Sequence, residues 1–382
     1  MKKRYIMSPG PVEVPPSVLS VGGQPMIHHR TPEYRKALNE VTEGLKYIFQ
    51  TQNDILIFPS AGTGGMESAV INLCSPGDKV LVAACGQFGE RWAKIAEAFG
   101  IVPVKVFAEW GKEVDYAKVE SELKANPELK AVFTTLSETS TGIENDIKKL
   151  GGLVKASKAV FVVDAVSGMG AVEFKTDEWS VDVAVVGAQK GLMIPPGVAM
   201  VSLSEKAKAA MASSKTPKFY FSYEQALKAL KKDKLPDTPY TSSVSLILQL
   251  RESIRLIKEE GLENVWGRHA KIASAVRAGV QALGLKLYAQ GKPSNSVTSV
   301  YTPEGIDGDL LNKKIRDEYG ITMAGGQGKM KGKMFRIGHL GYVDRFDAVM
   351  GVSAVEMALT EMGVKIELGK GVRAVEEELL KA

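Results

Sequence analysis

The stretch from Val181 to Leu203, VDVAVVGAQKGLMIPPGVAMVSL, decides the fold class of this chain. It holds two short apolar runs, DVAVVGA and GVAMVSL, and the turn between them carries Lys190. Another apolar run, AVFVVDA, precedes it and contains Asp164. Short strands that are apolar on both faces are typical of a mostly parallel sheet covered by helices on both sides. The sequence therefore predicts an α/β domain.

Comparable apolar runs lie upstream, and each is followed by helical periodicity. From Thr31 to about Gln50, apolar residues recur every three or four positions, with Thr31 as the expected N-cap and Pro32 at the first helical position. The other predicted strands are DILIFP, KVLVAA and KAVFTT, and helices are predicted from about residues 65 and 89 and near residue 150.

The remainder of the chain predicts further parts around this sheet. Four prolines within the first 16 residues predict an extended N-terminal arm over residues 1–20. A large domain would cover residues 21–262, and a long helical connection from Ser243 is broken at Gly261. Residues 263–382 would form a smaller α+β domain. Its strand-like segments are SNSVTSVYTP, GITMAG and KMFRIGHLG, and its helical patterns cover residues 308–319 and 345–362.

Composition limits the possible function classes. The 382 residues are 45% hydrophobic and 24% charged, which is ordinary for a globular protein. The formal charge of +5 comes from dispersed side chains, so no nucleic-acid surface is indicated. Cys74 and Cys85 have no metal-site spacing, and we expect no metal centre. No signal-like or 18-residue apolar run occurs, which predicts a cytoplasmic protein without a membrane span.

Three features of the sheet domain could bind one cofactor. The turn PSAGTGGMES lies between a strand and a helix, where backbone N–H groups and the helix dipole can hold a phosphate. Asp164 and Lys190 lie at strand ends, at the edge where open α/β sheets bind ligands. Pyridoxal 5'-phosphate needs an amine and an acidic partner for its ring nitrogen. Alternatively, the turn is only a tight turn, and the two charged residues are an ion pair or strand caps.

Ordered motifs occur along nearly the whole chain: SPGPVEVP, NLCSPGD, CGQFGER, SETSTGIEND, VDAVSGMG, GAQKGLMIPPG, TPYTSSVSLILQLRESI and KMFRIGHLG. They resemble those of the class V aminotransferases of fold type I, specifically the alanine:glyoxylate and serine:pyruvate family. The resemblance implies a mostly parallel seven-stranded sheet in a large domain and a smaller C-terminal α+β domain. It also implies pyridoxal 5'-phosphate as the cofactor and a homodimer with shared active sites.

The resemblance implies a role in cofactor binding for a defined set of residues. Lys190 would form the Schiff base, and Asp164 would pair with the pyridinium nitrogen. Phe88 would stack on the ring, and Thr139 would lie near the ring hydroxyl, although either residue could instead serve the core or a turn. The phosphate would be held by Gly62, Thr63 and Gln189, and by Thr241 of the neighbouring subunit, where Tyr240 or Thr238 are alternatives.

Other residues would bind the substrate. Arg336 matches the arginine that takes the substrate carboxylate through its planar fork of N–H groups. Gly10 and His28 would lie at the substrate mouth. Many family members have glycine where this chain has His28, which adds a donor before His29 and Arg30. That donor could serve a phosphorylated substrate, or it could only help to start the helix near Thr31.

The predicted reaction is transamination of serine or alanine with glyoxylate or pyruvate. Phosphoserine and aspartate aminotransferases are alternatives on the same scaffold. A lyase or a cysteine desulfurase is a further alternative, but a desulfurase needs a mobile cysteine late in the chain. Both cysteines here lie early. The expected partners are small amino and 2-oxo acids and a second copy of the chain.

Overall fold

The computed structural model describes residues 3–381 of the chain. Its strands are β1 (Tyr5–Ile6), β2 (Asp54–Phe58), β3 (Lys79–Ala84), β4 (Val102–Phe107), β5 (Ala131–Thr135), β6 (Ser137–Glu138), β7 (Ile143–Glu144), β8 (Val160–Asp164), β9 (Val183–Gly187), β10 (Ala199–Leu203), β11 (Val297–Tyr301), β12 (Ile321–Thr322), β13 (Ala324–Gly325) and β14 (Met334–Gly338). Its α-helices are α1 (Pro16–Gly22), α2 (Pro32–Phe49), α3 (Gly62–Leu73), α4 (Gln87–Ala98), α5 (Tyr116–Ala125), α6 (Ile147–Lys155), α7 (Glu205–Met211), α8 (Tyr223–Leu230), α9 (Val244–Glu260), α10 (Leu262–Ala282), α11 (Gly308–Lys314), α12 (Arg345–Glu361) and α13 (Lys370–Leu380).

The largest sheet has seven strands in the order β2-β10-β9-β8-β5-β3-β4. Strand β10 runs antiparallel to both of its neighbours, while β9, β8, β5, β3 and β4 pair in parallel. The predicted α/β fold with a mostly parallel seven-stranded sheet is therefore confirmed. Because parallel strands end at one edge, the residues that follow β8 and β9 are brought to the same side of the sheet.

Alternate residues of the central strands bury their side chains in different clusters. Leu81 and Ala83 belong to one apolar cluster, whereas Val80 and Val82 belong to another. Successive side chains of a strand point to opposite faces, so each face carries its own layer of helices. This two-sided burial explains why these strands are apolar throughout.

One strand of this sheet, β4, is absent from the sequence-based predictions. It lies at the edge and pairs only with β3, and among its six residues only Val106 is buried. Pro103 lies within it, and proline is tolerated in edge strands because their outer N–H groups need no partner. An exposed strand that contains proline lacks the apolar run by which the other strands were found.

The predicted helix ends agree with the structure at two places. The hydroxyl of Thr31 accepts a hydrogen bond from the backbone N–H of Tyr34 at 3.3 Å, as an N-cap does. The long helical connection is interrupted at Gly261, whose φ of 83° separates α9 from α10. A residue with a side chain would be strained in that conformation, so glycine suits the break.

A second sheet, β11-β14-β13, is antiparallel and packs with α10, α12 and α13 around a separate apolar cluster. The N-terminal segment joins this region, because β1 pairs in parallel with β12. The structure differs from the predicted extended arm at residues 16–20, where α1 begins at Pro16. Proline fits the first helical position because the N–H it lacks has no partner there anyway. The domain boundaries at residues 20 and 262 stay predictions.

Candidate active site

Lys190 lies three residues beyond β9, on the turn that leads toward β10. Its ammonium group donates a hydrogen bond to the carbonyl oxygen of Pro9 in the N-terminal segment. Burial is the main reason why the pKa of Lys190 is lowered to about 8, and the charge of Arg336 contributes to the decrease, while Asp164 acts in the opposite direction. With this pKa, the neutral amine is accessible near neutral pH, and the neutral amine is the nucleophilic and basic form.

Asp164 is the last residue of β8 and is 5% exposed. Its carboxylate accepts a hydrogen bond from the backbone N–H of Val166 at 2.9 Å. Burial is the main reason why the pKa of Asp164 is raised to about 6, and the buried carboxylate of Glu138 contributes to the increase. The hydrogen bond from Val166 and the charges of Arg91 and Lys190 act in the opposite direction. Asp164 and Lys190 thus lie close enough to act on each other's charge, as their places at neighbouring strand ends predict.

Gly10 lies against the side chain of Lys190. A Cβ atom at this position would collide with Cδ, Cε and Nζ of the lysine, and the φ of 128° is itself unfavourable for other residues. The structure therefore places Gly10 beside the reactive amine. Only glycine leaves the amine room to reach the Pro9 carbonyl.

The part of the site predicted to bind the cofactor phosphate lies at the first turn of α3, where Gly62 and Thr63 are the first two helical residues. An ideal Cβ on Gly187 would lie 2.9 Å from Oε1 of Gln189 and 3.5 Å from the backbone nitrogen of Gly62. The glutamine side chain and the helix N-terminus therefore border the same space. Oε1 of Gln189 is buried and has no hydrogen-bond partner within residues 3–381.

Arg91 supplies a positive charge beside the residues predicted to bind the phosphate. Its Nη1 donates to the hydroxyl oxygen of Thr63 at 2.9 Å, and its guanidinium carbon lies 4.8 Å from the centre of the Phe88 ring. Because the Thr63 oxygen accepts from Arg91, the proton of that hydroxyl stays available for an anion. Arg91 stands within the CGQFGER motif, but sequence reasoning did not select it, since nothing local shows that it reaches α3.

Phe88 lies in the first turn of α4 and is partly buried. Its backbone N–H donates to Oε1 of Glu138 at 3.3 Å, and the N–H of Gly89 donates to Oε2 of Glu138 at 2.8 Å. Glu138 is fully buried, and burial raises its pKa despite these bonds. Sequence reasoning noted the SETSTG segment but missed Glu138. The available sequence signal was an acidic residue shortly after the apolar run KAVFTT.

Arg336 projects from β14 and is 4% exposed. Its Nε and Nη2 donate to the carbonyl oxygen of Gly325 at 2.9 and 2.7 Å, and its Nη1 donates to the carbonyl oxygen of Thr139 at 2.9 Å. Three of its five N–H groups are thereby used, and two are left for a ligand. Among the described residues, Arg336 has no ion-pair partner within 4.0 Å. Burial lowers its pKa to about 10.

Thr139 is also part of this arrangement. Its hydroxyl donates to the hydroxyl of Ser167 at 2.6 Å, and both side chains are buried. Ser167 follows Asp164 on the same loop, so this bond links the SETSTG segment to the loop after β8. The hydroxyl oxygen of Thr139 can still accept a hydrogen bond from a ligand.

The remaining predicted residues lie elsewhere on the chain. Thr241 is exposed, and the Thr238 hydroxyl donates to the carbonyl of Tyr240 at 2.7 Å within the same loop. Tyr240 stacks on Tyr220 with ring centres 4.5 Å apart. His28 is exposed, and its carbonyl accepts from the hydroxyl of Thr31 at 2.9 Å. None of these four is in hydrogen-bond contact with Lys190, Asp164 or Arg336 in the described part of the chain.

The site residues fit pyridoxal 5'-phosphate. The unpartnered Oε1 of Gln189, the free helix N-terminus at Gly62 and the charge of Arg91 suit a phosphate, with the amide of Gln189 turned to donate. The buried carboxylate of Asp164 suits a protonated ring nitrogen. Within residues 3–381, no group of three or more His, Cys, Asp or Glu side chains could hold a metal ion.

Comparisons with known proteins agree with this geometry. The profile of the family "Aminotransferase class-V" matches residues 16–343. L-aspartate–glyoxylate aminotransferase of Paracoccus denitrificans is 39% identical over 379 residues, covering 97% of this chain and 95% of that protein. Serine–glyoxylate aminotransferase of Hyphomicrobium methylovorum is 38% identical over 387 residues, covering 99% and 95%.

Two further matches extend over the entire chain. A Synechococcus protein named "Soluble hydrogenase, small subunit" is 39% identical over 385 residues, covering 100% of this chain and 99% of that protein. The crystal structure of ureidoglycine–glyoxylate aminotransferase from Bacillus subtilis superimposes with a TM-score of 0.94 at 32% identity. That alignment covers 100% of this chain and 99% of the other.

A buried lysine beside a buried acid, at the carboxyl edge of a sheet shared with these structures, is the arrangement expected of a pyridoxal-phosphate enzyme of fold type I. The chain belongs to the class V aminotransferases and is a pyridoxal-phosphate-dependent aminotransferase. Within residues 3–381, no helix has the length and apolar character needed to cross a bilayer.

Proposed function

We propose that this enzyme transfers the amino group of serine or alanine to glyoxylate or pyruvate. The observation that carries the proposal is Arg336, a buried guanidinium beside Lys190 with two free N–H groups and no ion pair in the described chain. A buried cation of this kind needs an anion, and the α-carboxylate of an amino or 2-oxo acid offers two oxygens for its planar fork.

The arginines near Lys190 favour an amino-acid donor whose side chain carries no charge. The arginines whose charge acts on Lys190 are Arg336 and Arg91. The first would bind the α-carboxylate, and the second, bonded to Thr63, would balance the cofactor phosphate. Aspartate or phosphoserine would bring a second anion to a site in which both arginines already have one. The names of the relatives also support glyoxylate as an acceptor.

The residues of this chain would act as follows. Pyridoxal phosphate, when bound, supplies the electron sink that makes the substrate Cα–H acidic. Lys190 would hold the cofactor covalently, and once displaced by the substrate amine its Nζ would take the proton from Cα and return it to the C4' carbon of the cofactor. Asp164 would keep the ring nitrogen protonated. Phe88 would cover one face of the ring, and the Thr139 hydroxyl would accept from the ring hydroxyl.

The phosphate would be held by Gly62, Thr63, Gln189 and Arg91 of one subunit and by Thr241 of its neighbour. Support for a homodimer with shared sites comes from the surface next to this loop, where Phe219 is 80% exposed and Tyr220 is 43% exposed. Exposed aromatic side chains in one place suit a subunit contact. Sedimentation at micromolar concentration should give a dimer, and a fully active monomer would contradict it.

A reducing cytoplasmic location is part of the proposal. Cys74 and Cys85 are both unpaired and buried, and burial raises the pKa of each thiol, so neither is poised to form a disulfide. Fractionation of cells that express the chain should recover it with cytoplasmic markers, and its recovery with another compartment would contradict this location.

A half-reaction screen tests the substrate assignment. Serine, alanine, aspartate and phosphoserine are each added to the cofactor-loaded enzyme, and the absorbance change from the lysine-bound to the amine form of the cofactor is timed. We expect the highest second-order rate constant with serine or alanine. Adding glyoxylate or pyruvate should then return the cofactor from its amine form to its lysine-bound form. A higher rate constant with aspartate or phosphoserine would overturn the donor assignment.

A further inference from the structure

The carboxylate of Glu138 lies at the N-terminal end of α4 and receives four hydrogen bonds. Besides the N–H groups of Phe88 and Gly89, it accepts from the backbone N–H and the hydroxyl of Ser140, at 3.1 and 2.6 Å. The Ser140 oxygen in turn accepts from the N–H of Gln87 at 2.9 Å. The first three N–H groups of α4 are therefore all bound by side chains of a segment about 50 residues away.

Helix α4 has no cap of its own that could replace these bonds. Its N-cap residue is Gly86, which has no side chain. A Cβ on Gly86 would lie 2.5 Å from both Glu138 Cγ and Ser140 Oγ. The backbone of α4 therefore approaches the buried carboxylate as closely as glycine allows, and the negative charge lies at the positive end of the helix dipole.

The same short segment also contacts the substrate-binding arginine. The carbonyl of Thr139, the residue after Glu138, accepts from Nη1 of Arg336. Glu138 itself makes no hydrogen bond to Arg336, yet its charge favours the charged guanidinium and opposes the lowering of the Arg336 pKa by burial. The carboxylate thus favours the charged form of the arginine without forming an ion pair within 4.0 Å and without occupying the N–H groups that a substrate needs.

We infer that Glu138 is a positioning residue that fixes Phe88 against the cofactor ring and, through the adjoining Thr139 carbonyl, fixes Arg336 for the substrate carboxylate. The inference rests on the proposed function, because it uses the roles proposed there for Phe88 and Arg336. It adds that the cofactor face and the carboxylate site are held by one buried acid, so a change at that acid alters both.

The test is Glu138→Gln, which keeps the size of the side chain but replaces one acceptor oxygen with an NH2 group that faces backbone N–H donors. We expect KM for both the amino acid and the 2-oxo acid to rise about tenfold, as expected when hydrogen bonds to a charged group are lost, with a smaller change in kcat. The visible circular dichroism of the bound cofactor should also change, because Phe88 shifts.

Glu144→Gln is the matched control. Glu144 lies opposite Ser137 in the same strand pair, is 5% exposed and forms an ion pair with Lys292 at 2.5 Å. In the described part of the chain, its side chain makes no hydrogen bond to Phe88, Thr139 or Arg336. A purely structural effect would lower thermal stability in both variants and leave KM and the dichroism of the folded enzyme unchanged. Wild-type KM and dichroism in Glu138→Gln, or equal changes in Glu144→Gln, would overturn the inference.

Ser140→Ala decides the question if Glu138→Gln does not fold. It removes one donor to Glu138 and the acceptor for Gln87 while keeping the charge, so we expect a rise in KM of about threefold and a dichroism change in the same direction. Unchanged values in Ser140→Ala would then count against the role. The dichroism needs no substrate. If serine and alanine prove not to be donors, the proposed function fails while the dichroism still decides the role of Glu138.

Discussion

Replacing Lys190 with methionine should make the cofactor-free protein more stable at neutral pH, even though it removes the residue proposed to hold the cofactor. Burial lowers the pKa of Lys190 from 10.5 to about 8. Each pKa unit is worth about 1.4 kcal/mol, so keeping this ammonium buried costs about 3 kcal/mol at pH 7. Methionine has a similar length and no charge. Losing the hydrogen bond to the Pro9 carbonyl lowers the stability by about 1 kcal/mol. The free energy of unfolding should therefore rise by about 2 kcal/mol in total.

The pH dependence of this stability gain shows whether the buried ammonium group is its cause. Below about pH 8 the amine is protonated in both the folded and the unfolded protein, so the full cost is present. Between about 8 and 10.5 the folded protein releases its proton first, and the stability of the wild type therefore rises with pH. At pH 9.5 only about 1.4 kcal/mol of the cost remains, so the advantage of Lys190→Met should fall to near zero.

Urea unfolding of cofactor-free wild type and Lys190→Met, followed by far-ultraviolet circular dichroism at pH 7 and 9.5, measures both quantities. Lys124→Met is the control, because the Lys124 side chain is 74% exposed and its replacement should change the free energy of unfolding by less than about 0.5 kcal/mol at either pH. The reasoning is refuted if Lys190→Met is no more stable than wild type at pH 7. A gain that is the same at both pH values would refute it too.

Four further predictions concern the loaded enzyme. Asp164→Asn removes the charge that would hold the ring nitrogen protonated, so kcat should fall at least about 100-fold in steady-state assays with a smaller loss of cofactor affinity; near-wild-type kcat would disprove that role. Arg336→Lys keeps the charge but loses the planar fork of N–H groups. The transition-state stabilisation measured by kcat/KM for amino acids should therefore fall by about 1.5–3 kcal/mol. An unchanged kcat/KM would show that Arg336 does not bind the substrate carboxylate. Arg91→Gln should raise the Kd for pyridoxal phosphate about tenfold, measured by fluorescence quenching, with a much smaller effect on the Kd for pyridoxal, which lacks the phosphate; equal effects on both would contradict a phosphate role. His28→Gly should change kcat/KM for serine or alanine less than about threefold, and a selective collapse of phosphoserine activity would instead indicate a phosphorylated donor.

Local patterns in the sequence predicted much of the fold and the centre of the site. Apolar runs predicted six of the strands because a strand buried on both faces must be apolar throughout. Periodicity and capping residues predicted α2 and the break at Gly261. The places of Asp164 and Lys190 at strand ends were enough to predict that their charges act on each other, since parallel strands end at one edge.

Other parts of the molecule depended on contacts between distant segments. Strand β4 has only one neighbour and is mostly exposed, so its sequence lacks a buried pattern. The bond from Lys190 to Pro9, the bond from Arg91 to Thr63 and the cap that Glu138 forms on α4 join residues that are 28 to 181 positions apart.

The sequence by itself therefore determined six strands of the large sheet, helix α2 and the break at Gly261, and it predicted Asp164 and Lys190 at neighbouring strand ends, because these follow from local burial patterns and strand order. Only the tertiary structure decided which polar side chains surround that centre. Hydrogen bonds such as those of Glu138 and Arg336 depend on distances and directions between packed elements, and periodicity carries no information about either.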